Sequence, residues 1–228
     1  MYERYFKRML DFILSGIALV VLSPILLIIA TLVRIRLGSP VLFKQVRPGK
    51  NCRLFTMYKF RSMTNRLDSR GNLLSDNLRV NSFGKKLRAT SLDELPELIN
   101  IIKGDMSLVG PRPQLVRDMV FFTEEQIKRQ SVYPGLTGLA QICGRNNITW
   151  EDKFIYDLQY ISDINFFEDM RIIYRTIFKV VNQDDISAEG METAEDYGDY
   201  LFRIGRIDLV TYSRGQEKAK NVEEIIII

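Results

Sequence analysis

The chain contains no histidine in its 228 residues. That absence removes the commonest general base, the usual nitrogen ligand of zinc and any Ser-His-Asp arrangement. Acid–base chemistry here must come from Asp, Glu, Lys, Tyr or Cys. Cysteine is nearly missing as well: Cys52 and Cys143 lie far apart with no CxxC spacing. Neither a disulfide framework nor a thiolate metal site is expected, and a reducing, cytosol-facing environment fits. The chain shows no internal repeats and no glycine fingerprint of a dinucleotide site or a P-loop. Its length suits one catalytic domain with an appendage.

Negative charge is scarce at one end. Residues 1–61 carry eleven Lys and Arg against Glu3 and Asp11, whereas the remainder carries 21 basic against 26 acidic residues. A modest net charge of +4 therefore hides a strongly basic N-terminal end. Such a bias fits an anionic membrane surface or a nucleic-acid arm. The basic residues bracket an apolar span rather than interleave with exposed stacking aromatics, which makes nucleic acid the weakest reading.

That span, residues 12–33, has 22 residues without a charge, the length of a membrane-spanning helix. No small-residue cleavage site follows it, so a retained segment is expected rather than a signal peptide. Ser23-Pro24 falls near its middle, where proline deletes a backbone hydrogen bond and clashes with the preceding turn. Basic residues flank both ends: Arg4, Lys7 and Arg8 before it, then Arg34, Arg36, Lys44 and Arg47 after it. A broken, re-entrant helix with both ends on the cytoplasmic face satisfies all of these charges. A proline-kinked transmembrane anchor is the alternative.

Beyond the span, VLFKQV and CRLFTMYKF flank Pro48-Gly49 and predict a β-hairpin. Residues 64–86 read as a polar surface loop around Gly71. Thr123 with Gln126 forms a capping box, and Thr149 caps a helix running to about Ile161. Gly135, Gly138 and Gly144 favour a tight loop or short strands over helix. Residues 167–182 predict an amphipathic helix whose stripe of Ile173, Ile177, Phe178 and Val181 points to core packing, with bilayer docking through Arg171, Arg175 and Lys179 as the second option. From Asp184 the chain is acidic, poorly periodic and read as a peripheral tail. The expected organisation is α+β, predominantly helical: a re-entrant membrane helix-break-helix at 1–36, a cytosolic catalytic domain at 37–190 with a small β-hairpin and amphipathic interfacial helices, and a tail at 191–228.

The chemistry concentrates between Ser91 and Pro113. In SLDELPEL, adjacent Asp93 and Glu94 open a predicted helix, and helix capping by Ser91 or Asp93 accounts for them in the simplest way. An ionised Asp is also a competent nucleophile toward phosphorus. Such a carboxylate needs cations to admit an anionic substrate, and Lys59, Arg61, Arg88, Arg112 and Arg145 are the candidates, with Mg²⁺ as the divalent partner. Asp93 and Glu94 are its candidate ligands. Gly110-Pro111-Arg112-Pro113 sets a guanidinium in stiff backbone, suited to holding phosphate.

Taken in order, Lys7-Arg8 and Asp11, Ser23-Pro24, Arg47-Pro48-Gly49, Lys59-Phe60-Arg61-Ser62-Met63, Ser91 to Pro96, Lys103 to Ser107, Val109 to Pro113, Pro134-Gly135 and Gly144-Arg145 resemble the bacterial sugar transferases, the monotopic phosphoglycosyl transferases. The likeness covers about residues 1–190 and is nearest the short PglC-type enzymes. The resemblance implies transfer of a phosphosugar from a UDP-sugar to polyprenyl (undecaprenyl) phosphate, with release of UMP and with Mg²⁺ as cofactor. Asp93 would attack the sugar-proximal phosphorus and pass the phosphosugar to the lipid phosphate. Glu94 would complete the dyad, and Arg112 with its basic neighbours would hold phosphates. The resemblance also implies the re-entrant hairpin, a site on the cytosolic face of the bacterial inner membrane, and a UDP-N,N′-diacetylbacillosamine donor, with UDP-GlcNAc and UDP-GalNAc types as alternatives. A homodimer is compatible with the sequence. The competing readings are a membrane-bound pyrophosphohydrolase, in which water resolves the adduct, and a non-enzymatic anchored adaptor.

Overall fold

Helix-forming Leu, Ile, Ala and Val dominate the apolar span, and from Lys7 the chain forms one 30-residue helix, α1 (Lys7–Arg36), after a π-helical turn at Tyr2–Phe6. The computed structural model describes residues 2–144, 148–182 and 195–227. The expected break at Ser23-Pro24 does not occur: the helix continues through Pro24. The reason is local. Pro24 cannot donate to the carbonyl of Val20, but the Ser23 hydroxyl donates to that same oxygen at 2.7 Å, so the acceptor is not orphaned. By length and composition, α1 can cross a membrane.

One face of α1 packs along the rest of the molecule on both sides of Pro24. Arg8 donates to the carbonyls of Met106 and Ile101 at 2.8 and 2.7 Å, and Asp11 accepts from Ser107 Oγ and Leu108 N. Lys7 pairs with buried Asp169 at 2.5 Å. Ala18, Leu19 and Leu22 then join Phe55, Met57, Leu98 and Ile101, while Ile29 and Val33 pack with Phe60 and Leu87. The opposite face, including Phe12, Ile17, Val20, Val21, Leu27 and Ile28, is exposed and apolar.

The predicted hairpin is present as β1 (Leu42–Pro48) and β2 (Leu54–Phe60), antiparallel with Phe43 opposite Lys59. Period-2 alternation sends Phe55, Met57 and Lys59 to one side of β2. The 64–86 segment is not all loop: after α2 (Asp76–Arg79), Asn81 caps α3 (Ser82–Ala89) by accepting from Gly84 N at 2.9 Å. A 3₁₀ turn at Leu92–Glu94 leads to α4 (Glu97–Lys103). Buried Asn100 clamps α4 to β2, accepting from Tyr58 N and donating to Thr56 O at 3.0 and 2.7 Å.

Strands β3 (Ser107–Val109) and β4 (Gly135–Thr137) pair in parallel. Between them lie α5 (Val116–Met119) and α6 (Glu124–Ile127), the latter with the predicted Thr123–Gln126 capping box. Gly110 and Gly135 allow the backbones to cross, since a Cβ on Gly135 would sit 2.1 Å from Gly110 N. The glycine-spaced segment yields both the expected short strand and an unexpected helix, α7 (Leu139–Gly144). Thr149 caps α8 (Trp150–Ser162) as predicted.

The amphipathic helix is α9 (Phe166–Asn182); the core reading of its stripe holds at Ile173, which packs against the cluster of Val109, Leu139 and Tyr160, and fails at Ile177 and Phe178. Asp169 and Ile172 face inward, whereas Ile177 and Phe178 are 60% and 57% exposed and neighbouring Phe167 is 82% exposed. The tail also departs from expectation. Helices α10 (Tyr197–Arg203) and α11 (Leu209–Ile227) are integral: Tyr197 and Leu201 are buried with Trp150 and Phe154 beside Phe121 and Phe122. Tyr197 N donates to buried Asp118 at 2.8 Å.

Candidate active site

The carboxylate pair does not cap a helix. Ser91 lies in the left-handed region (φ 53°, ψ 17°) and makes no side-chain cap, and the residue at the N-cap of α4 is Pro96. Asp93 and Glu94 sit instead on the 3₁₀ turn ahead of α4, turned toward cations from three other elements. A non-glycine residue in the left-handed region costs of order 1 kcal/mol and tends to persist where function needs the geometry.

Lys59, delivered by β2, lies 2.8 Å from Glu94 Oε1 and 3.1 Å from Glu97 Oε1. The second contact has ion-pair distance without hydrogen-bond alignment, so this buried Glu97 oxygen has no hydrogen-bond donor. Arg112 Nη2 reaches the same Glu94 Oε1 at 2.5 Å. The Arg112 loop is fixed from behind: Gly135 N donates to Pro111 O at 3.0 Å, Arg47 to Pro113 O at 3.2 Å, and buried Arg129 to Arg112 O at 2.7 Å. Arg129 in turn pairs with buried Asp157 at 2.6 Å. Arg88 completes the ring from α3, donating to Ser62 Oγ at 2.9 Å and acting on Asp93 through its charge.

Burial, and then the charge of Glu94, raise the Asp93 carboxyl to about 6 against the opposing pull of Lys59, Arg88 and Arg112. Burial alone would raise Glu94 too, but the charges and hydrogen bonds of Arg112 and Lys59 hold it well below the usual carboxylate range. Glu97 is pushed up to about 7 by burial, with the charge of Glu94 adding to it and Lys59 opposing. The adjacent carboxylates are thus driven apart, Glu94 locked as an anion and Asp93 made more basic while still ionised near neutrality.

Of the residues expected from sequence, Asp93, Glu94, Lys59, Arg88 and Arg112 converge. Arg61 does not join them: its guanidinium donates to the carbonyls of Ser39 and Leu37 and anchors the end of α1. Arg145 lies outside the described residues. Glu97 and Arg129 escape a reading of the sequence, although the i, i+3 spacing of Glu94 and Glu97 is a signal that two carboxylates could share a partner. Lys7, Arg8 and Asp11 tie α1 to the domain, and Ser23 and Pro24 lie on its exposed side.

Among the described residues no group of three or more acidic or cysteine side chains forms a metal cage. Mg²⁺ does not require one, since one or two carboxylates plus substrate phosphates suffice. Lys59 and Arg112 both engage Glu94 Oε1, so Glu94 Oε2 is spent on neither. The pair fits a Mg²⁺ held largely by its substrate.

An apolar N-terminal helix packed on an α+β domain, with a buried carboxylate faced by cations, is the arrangement suited to a membrane-associated protein with an anionic substrate. The sequence model of the bacterial sugar transferase family matches residues 2–183, so the chain belongs to that family and is an enzyme of the phosphoglycosyl transferase class. It is 47% identical over 191 residues to the uncharacterized sugar transferase EpsL of Bacillus subtilis, covering 84% of this chain and 95% of that one. It is 42% identical to the UDP-glucose:undecaprenyl-phosphate glucose-1-phosphate transferase of Klebsiella pneumoniae, covering 76% of this chain and 40% of that protein. It is 32% identical to the undecaprenyl-phosphate galactose phosphotransferase of Salmonella typhimurium, covering 80% and 42%. The chain therefore spans about two fifths of the latter two proteins.

Proposed function

We propose that the chain transfers a phosphosugar from a UDP-sugar to undecaprenyl phosphate through an Asp93-linked intermediate, releasing UMP. The observation that carries this reading is Asp93 itself: buried, raised to about 6 and faced by Lys59, Arg88 and Arg112, within the segment that matches the family. In the first step an Asp93 oxygen bonds to the sugar-proximal phosphorus and the bond to the bridging diphosphate oxygen breaks, so UMP departs with that oxygen. In the second, an oxygen of the lipid phosphate bonds to the same phosphorus and the Asp93 carboxylate leaves. Arg112 and Lys59 exchange Glu94 for phosphate oxygens, stabilising charge where it gathers. Asp93 and Glu94 would hold Mg²⁺, whose chemistry is to neutralise diphosphate charge.

The donor is proposed to be an N-acetylated UDP-sugar, UDP-N,N′-diacetylbacillosamine first, although two of the three relatives named above are named for glucose and galactose. The proposed topology keeps both ends of α1 on the cytosolic face of the inner membrane. Packing of the same domain against residues on both sides of Pro24 supports this, because a crossing helix would carry one end about 30 Å away. The exposed apolar face of α9 suits the headgroup layer. Labelling a cysteine at position 2 from outside intact cells would contradict this topology. The activity is tested with purified chain, a panel of UDP-sugars and polyprenyl phosphate. UMP turnover that depends on lipid supports transfer, and steady turnover without lipid indicates hydrolysis.

A further inference from the structure

Arg112 has to stay in place after the substrate has taken its partner. Among the described residues the ion-pair partner of its half-buried guanidinium is Glu94, the group that a donor diphosphate displaces. From then on its position is inherited from the backbone of its own loop. That backbone is pinned almost residue by residue. Pro111 O accepts from Gly135 N, Arg112 O from Arg129 and Pro113 O from Arg47, while Leu115 N donates to buried Asp118 at 3.1 Å.

Two of these pins lead to α10 and α11, which lie beyond the residues matched by the family model. Asp118 spends its other oxygen on Tyr197 N at 2.8 Å, and adjacent Arg117 pairs with Asp196 at 2.8 Å. Phe121 is seated against both helices at Gly198 and Gly215, where any Cβ would strike the ring. Arg129 is the second pin. Its guanidinium lies 5.7 Å over the Phe122 ring, which stands edge-on to Tyr197 and Phe154 with centroids 5.7 and 5.1 Å away. Edge-on ring pairs and a cation over a ring face are directional contacts, so they fix a guanidinium as well as bury area. Tyr197 thus reaches both pins, Asp118 through its backbone and Arg129 through one intervening ring. A planar guanidinium binds phosphate only in the right orientation, and a shift of about 1 Å in such a group can cost on the order of 100-fold.

We propose that Tyr197 and Phe122 are positioning residues for Arg112, so that the C-terminal helices set the affinity of the site for the diphosphate of the donor. The inference rests on the transferase reading above. It is tested by titrating UDP into the purified full chain in detergent at fixed Mg²⁺, with the KM of UMP release as the parallel readout. Tyr197→Phe, Tyr197→Leu and Phe122→Leu are compared with wild type. Affinity reads the placement of the cation, and binding stoichiometry counts the folded fraction. Tyr197→Phe keeps the ring and the backbone donor and should bind UDP within about twofold of wild type. Tyr197→Leu removes the ring behind Phe122, and Phe122→Leu removes the ring beneath Arg129. Each should weaken UDP and raise KM about tenfold at unchanged stoichiometry, within the range for residues coupled by contact. Wild-type affinity and KM in both leucine variants would overturn the role of the tail while leaving the transferase reading intact. Lowered stoichiometry at unchanged affinity, or no folded fraction in either leucine variant, would overturn it too, by assigning the rings to stability alone. Equal weakening in Tyr197→Phe would overturn the role of the ring. A wild-type chain that releases no UMP from any UDP-sugar overturns the transferase reading, and the inference with it.

Discussion

Replacing Asp93 by Asn should abolish transfer and at the same time stabilise the protein. The carboxyl is 8% exposed and its folded-state value lies near 6 against an ordinary 3.8. A raised value means that the folded protein prefers the protonated form, so above pH 6 burying the charge costs stability. Two pH units at 1.36 kcal/mol each give about 3 kcal/mol as the full cost. Asparagine keeps the shape and removes the charge, and about 1–3 kcal/mol should return once its amide is accommodated. For a chain of this size that is a rise of roughly 3–10 °C in melting temperature. The sign over pH is fixed: the advantage of Asn is complete above pH 6 and shrinks as pH falls toward 4, where the unfolded carboxyl also becomes protonated. Thermal melts of both proteins in detergent with EDTA at pH 8 and pH 5, beside UMP release at pH 8, measure all of this. An Asn variant that melts at or below wild type at pH 8 would refute the view that Asp93 is held charged at the expense of stability. One that retains UMP release would refute its role as nucleophile.

Three further expectations follow from the packing. Breaking the buried Arg129–Asp157 pair with Asp157→Ala leaves an unpaired guanidinium behind the Arg112 loop and should cost about 3–5 kcal/mol, read by chemical denaturation; a loss below 1 kcal/mol would show that the pair is not needed. Tyr197→Ala should destabilise by about 3–5 kcal/mol because the ring fills the cluster with Trp150 and Phe154, and an unchanged melting temperature would return the tail to a peripheral role. Phe167→Asp with Phe178→Asp should weaken binding to anionic vesicles about tenfold or more while leaving kcat in detergent unchanged; unaltered vesicle binding would remove α9 from the membrane contact.

Local rules read correctly at three places in the fold. The β1–β2 hairpin, the Thr123 box and the Thr149 cap depend on turn chemistry within a few residues, and the structure carries them. Ser23-Pro24 misled because the expectation counted the lost proline N–H and not the Ser23 hydroxyl that replaces it. The stripe on α9 was legible as a stripe, but hydrophobicity does not say whether an apolar face meets protein or lipid. Asp169 and Ile172 decide that, Asp169 through Lys7, 162 positions away, and Ile172 through Val109, Leu139 and Tyr160. In the site, residue types and order pointed to Asp93, Glu94, Lys59, Arg88 and Arg112. Capping was the wrong local explanation, since the 3₁₀ turn separates the carboxylates from the start of α4. Arg61 could not be told from Lys59 by sequence: two residues apart on one strand end, one turns to the site and the other to the end of α1. Glu97 became visible only when α4 was docked on β2.

The central claim is that Asp93 carries the phosphosugar between two half-reactions. Mixing the purified chain with its UDP-sugar and no lipid acceptor, then following UMP and the mass of the peptide containing Asp93, tests it most directly. The account predicts a burst of UMP no larger than the enzyme present, a phosphosugar adduct on Asp93, and loss of that adduct when polyprenyl phosphate is added. UMP release that begins only with the lipid, or an adduct on any other residue, would contradict it.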